Sequence, residues 1–175
     1  TPREFYDARK MLTERGIRLC ESDIQAHYKV LLEHYYGADI GPMNVTFYDI
    51  EVDYDKNIGF SSPSNPYAPI NSIAIYHVHS DRTVVLAVAP ETRPGFTYDD
   101  LPKDITDSAE IVICENEKEL LKCFFGEIEE TDILSGWNSD FYDNPYIYER
   151  ANAVLYRGAG DKMCFDGSKK AFYRE

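Results

Sequence analysis

The strand-like segment from Val45 to Asp53 constrains the fold of this chain more than any other feature. One side of the segment ends in three acids, Asp49, Glu51 and Asp53, whereas the even-numbered residues on the other side are Thr, Tyr, Ile and Val. Side chains two residues apart on a strand point the same way. Because both sides are largely apolar until the acids begin, we predict a central strand of an α/β sheet.

The acids at the end of this strand predict a metal site. Asp49 and Glu51 share one side of the strand, with Cα atoms about 6.5 Å apart. Open α/β sheets bind their ligands at the carboxyl ends of strands. Two carboxylates at that place repel each other, and a divalent cation would relieve the repulsion. The residues alone leave a second interpretation open, in which the acids form a solvated strand end without metal.

A second segment, Ile133 to Pro145, supplies another acid. It begins with a short apolar run, and Gly136 permits a tight turn or a close backbone approach. We expect a helix to start at Asn144, as N-cap, with Pro145 in the first helical position. Asp143 would then lie at the positive end of the helix dipole. Three such acids suit two magnesium ions, about 3.5–4 Å apart, which hydrolyse phosphodiesters in sites of this kind.

At these residues the chain resembles a known family. The segment Phe47-Tyr48-Asp49-Ile50-Glu51-Val52 resembles the first exonuclease motif of family B DNA polymerases. The segment from Gly136-Trp137-Asn138 to Pro145-Tyr146-Ile147 resembles the second motif, and its sequence is most similar to that of polymerases from T-even-like phages. Residues 69–77, followed by Asp81-Arg82, resemble the strand pair between the two motifs, so the similarity covers about residues 44 to 150.

This resemblance implies a 3′–5′ proofreading exonuclease domain with an RNase H-like α/β fold. We expect a mixed β-sheet flanked by helices, incomplete at the C-terminus and preceded by a short helical segment. Asp49, Glu51 and Asp143 would be the catalytic metal ligands for two Mg²⁺ or Mn²⁺ ions. Asn138 would contact the DNA strand. The third motif, Tyr-x-x-x-Asp, is not found downstream, so we expect a fragment of a replicative DNA polymerase that is weak or inactive alone.

Two aromatic residues are further candidates for substrate binding. Phe60 lies in the loop 57–69 after the acidic strand, where it would stack on a displaced base or, equally well, anchor the loop. Tyr142 would line the site beside Asp143. The resemblance implies three partners: the single-stranded 3′ end of primer–template DNA, the rest of the polymerase chain, and a sliding clamp bound through segments absent from this chain. It also implies a location in the cytoplasm of a phage host.

The segment patterns predict two parts. Residues 1–42 form a helical lead-in with helices over about 2–15 and 21–36, and residues 43–175 form the partial exonuclease domain. The second helix has one apolar face, made of Ile24, Tyr28, Leu31, Leu32 and Tyr35. In the second part we predict strands at about 71–79, 82–89 and 109–114. A helix follows, with Asn116 as its cap and Glu119 at the capping-box position. A hairpin is expected around Asp166-Gly167.

Charge and composition narrow the functional classes. The net charge is −13, which opposes autonomous nucleic-acid binding because DNA-binding domains usually carry a basic stripe. Bound metal ions and basic surfaces of a larger polymerase would offset it. The sequence contains no apolar stretch near 18 residues, so we expect no membrane partner, and its four cysteines suit free thiols. Two alternatives remain: a non-catalytic structural or interaction module of a replication protein, and a free-standing 3′–5′ exonuclease.

Overall fold

The computed structural model describes residues 2–20, 22, 24, 26–39 and 41–164, and the chain divides into two compact units, residues 1–41 and 42–175. Unit 1 contains helices α1 (Pro2–Glu14) and α2 (Ala26–Tyr35). The second helix starts later than predicted. Its side chains Tyr28, Leu31, Leu32 and Tyr35, which the sequence predicts on one apolar face, are all more than half exposed.

Unit 2 is built on a mixed five-stranded sheet, which confirms the predicted α/β class. Its strands are β1 (Val45–Val52), β2 (Ile70–His77), β3 (Arg82–Val88), β4 (Glu110–Cys114) and β5 (Ile133–Ser135). The spatial order is β4-β3-β2-β1-β5. Neighbours are antiparallel from β1 to β3, whereas β4 runs parallel to β3 and β5 runs parallel to β1. Strand β1 therefore has a neighbour on each side, as the sequence predicts for a central strand.

Two helices cover one face of this sheet. They are α4 (Glu117–Glu127) and α5 (Asp143–Val154). A short helix, α3 (Lys103–Thr106), and two 3₁₀ turns, Tyr98–Asp100 and Ala159–Met163, lie in the connections. The core contains apolar side chains from both layers, each stabilising the fold by about 1.5–3 kcal/mol when fully buried: Tyr48, Ile50, Ile73, Ile75, Val84, Leu86, Leu120, Leu121, Phe124, Tyr146 and Ile147.

Helix α4 starts as its sequence predicts. Asn116 is the N-cap, and its side-chain oxygen accepts a hydrogen bond of 3.1 Å from the Glu119 amide. The Glu119 carboxylate reaches back to the amide of Glu115, at 2.6 Å, rather than to that of the cap residue. The bond from Asn116 satisfies an amide that the first turn of a helix leaves unpaired, which explains why the helix begins at Glu117.

The other face of the sheet remains largely open at β1 and β2 among the described residues. Phe47 and Tyr76 are paired across the two strands and are 46% and 38% exposed. Asp49 and Glu51 are exposed on the same face. The acidic pair thus lies opposite the helical layer. The hairpin expected around Asp166-Gly167 lies outside the described residues, and no helix in the described part of the chain is long and apolar enough to cross a membrane.

Candidate active site

The acidic pair lies on β1 in the alternation that its sequence predicts. Tyr48 and Ile50 point into the core and are 3% and 7% exposed, whereas Asp49 and Glu51 point to the open face. The pairing with β2 shifts register between Glu51 and Val52. Such bulges bend a strand and change the direction of its side chains. The regular ladder is therefore interrupted just after the second acid, and Val52 pairs with Ile70 beyond the shift.

Asp143 is attached to the same strand from the helical side. The pairing of β5 with β1 ends at Phe47 and Ser135. Farther along β1, the Ile50 amide donates a hydrogen bond of 3.2 Å to the Oδ1 atom of Asp143. Asp143 is 4% exposed and is the first residue of α5. A single backbone bond thus fixes this acid to the strand that carries the other two.

The start of α5 differs from the prediction. The N-cap position is occupied by Tyr142, and Asn144 is the second residue of the helix rather than its cap. The reason is the preceding turn, which runs directly into the helix: the Asn144 amide already donates to the Ser139 carbonyl at 2.8 Å. The Asn144 side chain is consequently free for longer-range hydrogen bonds.

The three acids influence each other electrostatically. Burial raises the pKa of Asp143, and the negative charges of Asp49 and Glu51 raise it further. Hydrogen bonds from the backbone amides of Ile50 and of Asp143 itself act in the opposite direction but do not cancel the rise. The ionised form of Asp143 is therefore costly here, as expected for a buried carboxylate near two others.

The donor set suits a hard divalent cation, because carboxylate oxygens are the ligands that Mg²⁺ and Ca²⁺ prefer. Within the described residues, no Lys, Arg or His forms an ion pair with Asp49, Glu51 or Asp143. The same part of the chain contains no group of three or more His, Cys, Asp or Glu side chains arranged to hold a metal ion. The acids are thus neighbours in the electrostatic sense without forming a preassembled cluster.

Tyr142 lies next to the acids, and its hydroxyl bonds to a loop. The negative charges of Asp143 and Glu51 contribute to the raised pKa of Tyr142, after burial and the neighbouring Tyr146. Its hydroxyl donates to the Ser61 carbonyl at 3.1 Å, and its ring stacks on that of Tyr146 at 5.3 Å. Tyr142 therefore connects the start of α5 to the loop 57–69.

Asn138 lies in a tight turn between β5 and α5. Its φ of 58° is in the left-handed region, which asparagine tolerates better than most residues. Its carbonyl accepts hydrogen bonds from the amides of Phe141 and Tyr142 at 3.1 and 3.3 Å. The side chain is exposed. Asn138 thus shapes the turn through its backbone, and its amide group remains accessible.

Phe60 projects from the loop that follows the acidic strand. Its side chain is 84% exposed, and its ring centroid lies 4.8 Å from that of Tyr54. The loop is fixed by two other residues: Ser61 and Ala68 are both 2% exposed, and both form hydrogen bonds with the Tyr146 hydroxyl of α5. Phe60 therefore does not anchor the loop by burial, since its ring projects from a loop that is fixed elsewhere.

Sequence reasoning missed a buried polar contact beneath the acids. The Tyr48 hydroxyl donates to Oδ1 of Asn144, and the side-chain NH₂ group of Asn144 donates to Oδ1 of Asp140 at 3.1 Å. One signal was available: the core-facing side of β1 contains a tyrosine, and a buried tyrosine hydroxyl usually finds a polar partner. The identity of that partner, 96 positions away, was not predictable from local pattern.

Comparison with known proteins points in the same direction as this geometry. The family model described as DNA polymerase family B, exonuclease domain, matches residues 1–165. The DNA-directed DNA polymerase of Escherichia phage RB69 is 30% identical over 140 residues, covering 69% of this chain. The match covers 15% of that polymerase, so this chain corresponds to a small part of its relative.

Proposed function

Because the chain belongs to the exonuclease-domain family of family B DNA polymerases, we propose that it hydrolyses phosphodiester bonds at a DNA 3′ end. The activity would be 3′–5′ proofreading, and the domain would act as part of a longer DNA polymerase. This second point is supported by the relative from phage RB69, which is a DNA-directed DNA polymerase and of which the chain matches 15%.

One observation carries this proposal: three acids from two distant segments meet at one strand. Asp49 and Glu51 lie on the open face of β1, and Asp143 is bonded to the Ile50 amide between them. The family match covers all three residues. A solvated strand end would not need a buried aspartate whose pKa is raised by burial first and by the two neighbouring acids in addition.

In this proposal Asp49, Glu51 and Asp143 hold two Mg²⁺ or Mn²⁺ ions. Such ions, when bound, supply an activated water and charge stabilisation at the phosphate. The chain itself contributes the carboxylate ligands, and the bond from the Ile50 amide orients one of them. Asn138, Tyr142 and Phe60 would contact the DNA strand, and the exposed ring of Phe60 is free to stack on a base.

The proposed partners follow from the same assignment. They are the unpaired 3′ end of primer–template DNA and the remainder of the polymerase, which would also contact a sliding clamp in the host cytoplasm. The net charge of −13 makes unaided capture of DNA unfavourable. We therefore expect the 175-residue chain to degrade single-stranded DNA poorly or not at all, whereas a polymerase that includes it would supply the missing basic surface and a further carboxylate.

The direct test is the Asp49→Ala/Glu51→Ala double variant of the polymerase that contains this chain. Degradation of a labelled primer in the presence of Mg²⁺ should fall at least about a hundredfold, equivalent to about 2.7 kcal/mol of transition-state stabilisation. Nucleotide addition should stay nearly unchanged, since the polymerase site would lie elsewhere in the protein.

A matched control separates ligand loss from loss of charge. Glu129→Ala/Glu130→Ala removes the same charge from two exposed residues that follow α4, and it should leave degradation intact. Undiminished degradation by the Asp49/Glu51 variant would reject the enzymatic assignment. It would favour instead the non-catalytic module, which the lack of a three-ligand group among the described residues also suits.

A further inference from the structure

The buried hydroxyl of Tyr48 joins the central strand to the first turn of helix α5. Tyr48 is 3% exposed, its ring packs against that of Phe124 at 5.4 Å, and its hydroxyl donates to Oδ1 of Asn144. A hydroxyl buried at this depth costs free energy unless it is hydrogen-bonded. The bond therefore fixes the position of Asn144 relative to β1.

This contact stands beside the bond that holds the candidate ligand. Tyr48 and Ile50 are two residues apart on the core side of β1, and Asn144 and Asp143 are consecutive on α5. The Tyr48 hydroxyl donates to the Asn144 side chain, and the Ile50 amide donates to the Asp143 carboxylate. Two adjacent attachments of this kind restrict both the translation and the rotation of the first turn of α5 over the strand.

Asn144 also connects the strand to the preceding turn. Its backbone amide donates to the Ser139 carbonyl at 2.8 Å. Its side-chain NH₂ group donates to Asp140 at 3.1 Å, and its side-chain oxygen accepts from Tyr48. Only a side chain with both a donor and an acceptor can do this, which excludes an aliphatic residue and an ionised aspartate. The turn 138–142 and the helix start are thus held as one piece.

We propose that Tyr48 and Asn144 are positioning residues for the hydrolytic site, which hold the Asp143 carboxylate against β1 without touching the substrate. This inference rests on the proposed function. Loss of the Tyr48 hydroxyl leaves the side-chain oxygen of Asn144 without this donor, and of the two bonds that attach the first turn of α5 to β1 only that from the Ile50 amide to Asp143 remains. A misplacement of about 1 Å in a catalytic group can cost about a hundredfold in rate.

The first test measures position rather than activity. Hydrogen exchange of the Ile50 amide in the 175-residue chain reports directly on its bond to Asp143. We expect Tyr48→Phe to speed this exchange about tenfold, which corresponds to about 1.4 kcal/mol. The matched control is Tyr76→Phe, which also removes one hydroxyl from the same sheet, but one that bonds to Asp81 at the β2–β3 turn. The control should leave the exchange of Ile50 unchanged.

The second test separates positioning from a purely structural role. In the double variant Tyr48→Phe/Asn144→Val both polar partners are gone, so thermal stability should recover most of what Tyr48→Phe loses. The exchange of Ile50 should nevertheless stay fast, because the turn 138–142 has lost its connection to the strand. Recovery of both properties together would overturn the proposal, since apolar packing would then be enough to hold Asp143.

The polymerase that contains this chain supplies the third measurement. Tyr48→Phe should lower kcat for primer degradation about tenfold to a hundredfold with a smaller change in KM, because the substitution removes none of the side chains proposed to contact DNA. An unchanged kcat, together with activity lost on changing Asp49 and Glu51, would defeat the positioning role while leaving the hydrolytic function in place. Activity that survives the Asp49/Glu51 change would instead defeat the proposed function.

Discussion

Replacing Tyr146 by Phe removes a single oxygen atom from the most deeply buried part of unit 2. The Tyr146 residue is 0% exposed, and its hydroxyl lies 2.7 Å from the Ala68 carbonyl and 2.8 Å from the Ser61 hydroxyl. Its ring is also stacked on Tyr142. The substitution keeps the ring, so that any effect comes from the two hydrogen bonds that attach the loop 57–69 to α5.

The size of the effect follows from what each partner loses. The Ser61 hydroxyl keeps its contacts with the Asn65 carbonyl and the Ala68 amide, at 3.1 and 3.3 Å, so its loss is small. The Ala68 carbonyl loses the Tyr146 donor in a residue that is 2% exposed. A buried polar group left unsatisfied costs about 1–3 kcal/mol. We therefore expect the free energy of unfolding to fall by about 2 kcal/mol.

Thermal unfolding followed by circular dichroism measures this loss. For a chain of this size, 2 kcal/mol corresponds to a fall in Tm of about 4–8 °C. Tyr76→Phe is the matched control, because that hydroxyl bonds to Asp81 on the surface, and it should change stability by less than about 0.5 kcal/mol. Equal Tm values for the two variants would refute the argument that Tyr146 fixes the loop through its hydroxyl.

Further predictions concern the space around two glycines and the pH dependence of stability. Gly136→Ala should lower stability by about 1–3 kcal/mol in urea unfolding, because its Cβ would lie 2.4 Å from the Tyr48 carbonyl oxygen. Gly126→Ala, inside α4 with open space around it, should raise stability by about 0.5–1 kcal/mol. Asp143→Asn should raise Tm at neutral pH, since the pKa of Asp143 is raised in the folded state, and the gain should vanish as the pH falls below its ordinary value of 3.8. Glu127→Gln should do the opposite: burial acts to raise the pKa of Glu127, but hydrogen bonds from Arg82 and His77 lower it overall, so the variant should lose stability at neutral pH and approach the wild type in acid. Gains of the same sign in both acid variants would contradict this account.

The sheet and α4 were largely predictable because their signals are local. The alternation in β1 places Tyr48 and Ile50 in the core and Asp49 and Glu51 outside it, which follows from the two-residue period of a strand. The cap of α4 is set by Asn116 and Glu119, which are three residues apart. In both cases the residues that decide the structure lie within the element or at its edge.

The start of α5 was less predictable because distant residues decide it. Asn144 is of a residue type that favours the N-cap position, yet its side chain accepts a hydrogen bond from Tyr48 on strand β1. In unit 1 the periodicity marks an apolar side of α2, but Leu31 and Leu32 are 52% and 58% exposed. Periodicity identifies which side chains are apolar, whereas what covers them depends on other parts of a fold.

The partly buried acids of unit 2 differ in whether a basic side chain is paired with them, and this difference distinguishes the structural carboxylates from the candidate site. Glu117 is paired with Arg150, with Nε of the arginine 2.7 Å from Oε1, and Glu127 is paired with Arg82, 2.7 Å away. Each of these partly buried acids thus has a basic partner within the protein. Asp143 is more deeply buried than either, yet among the described residues no Lys, Arg or His forms an ion pair with it, and the charges of Asp49 and Glu51 act on it with the same sign as its own. Asp49 and Glu51 are exposed and can be solvated by water, whereas the buried Asp143 needs a positive charge to offset the cost of its ionised form. In the proposed site a bound divalent cation would supply that charge.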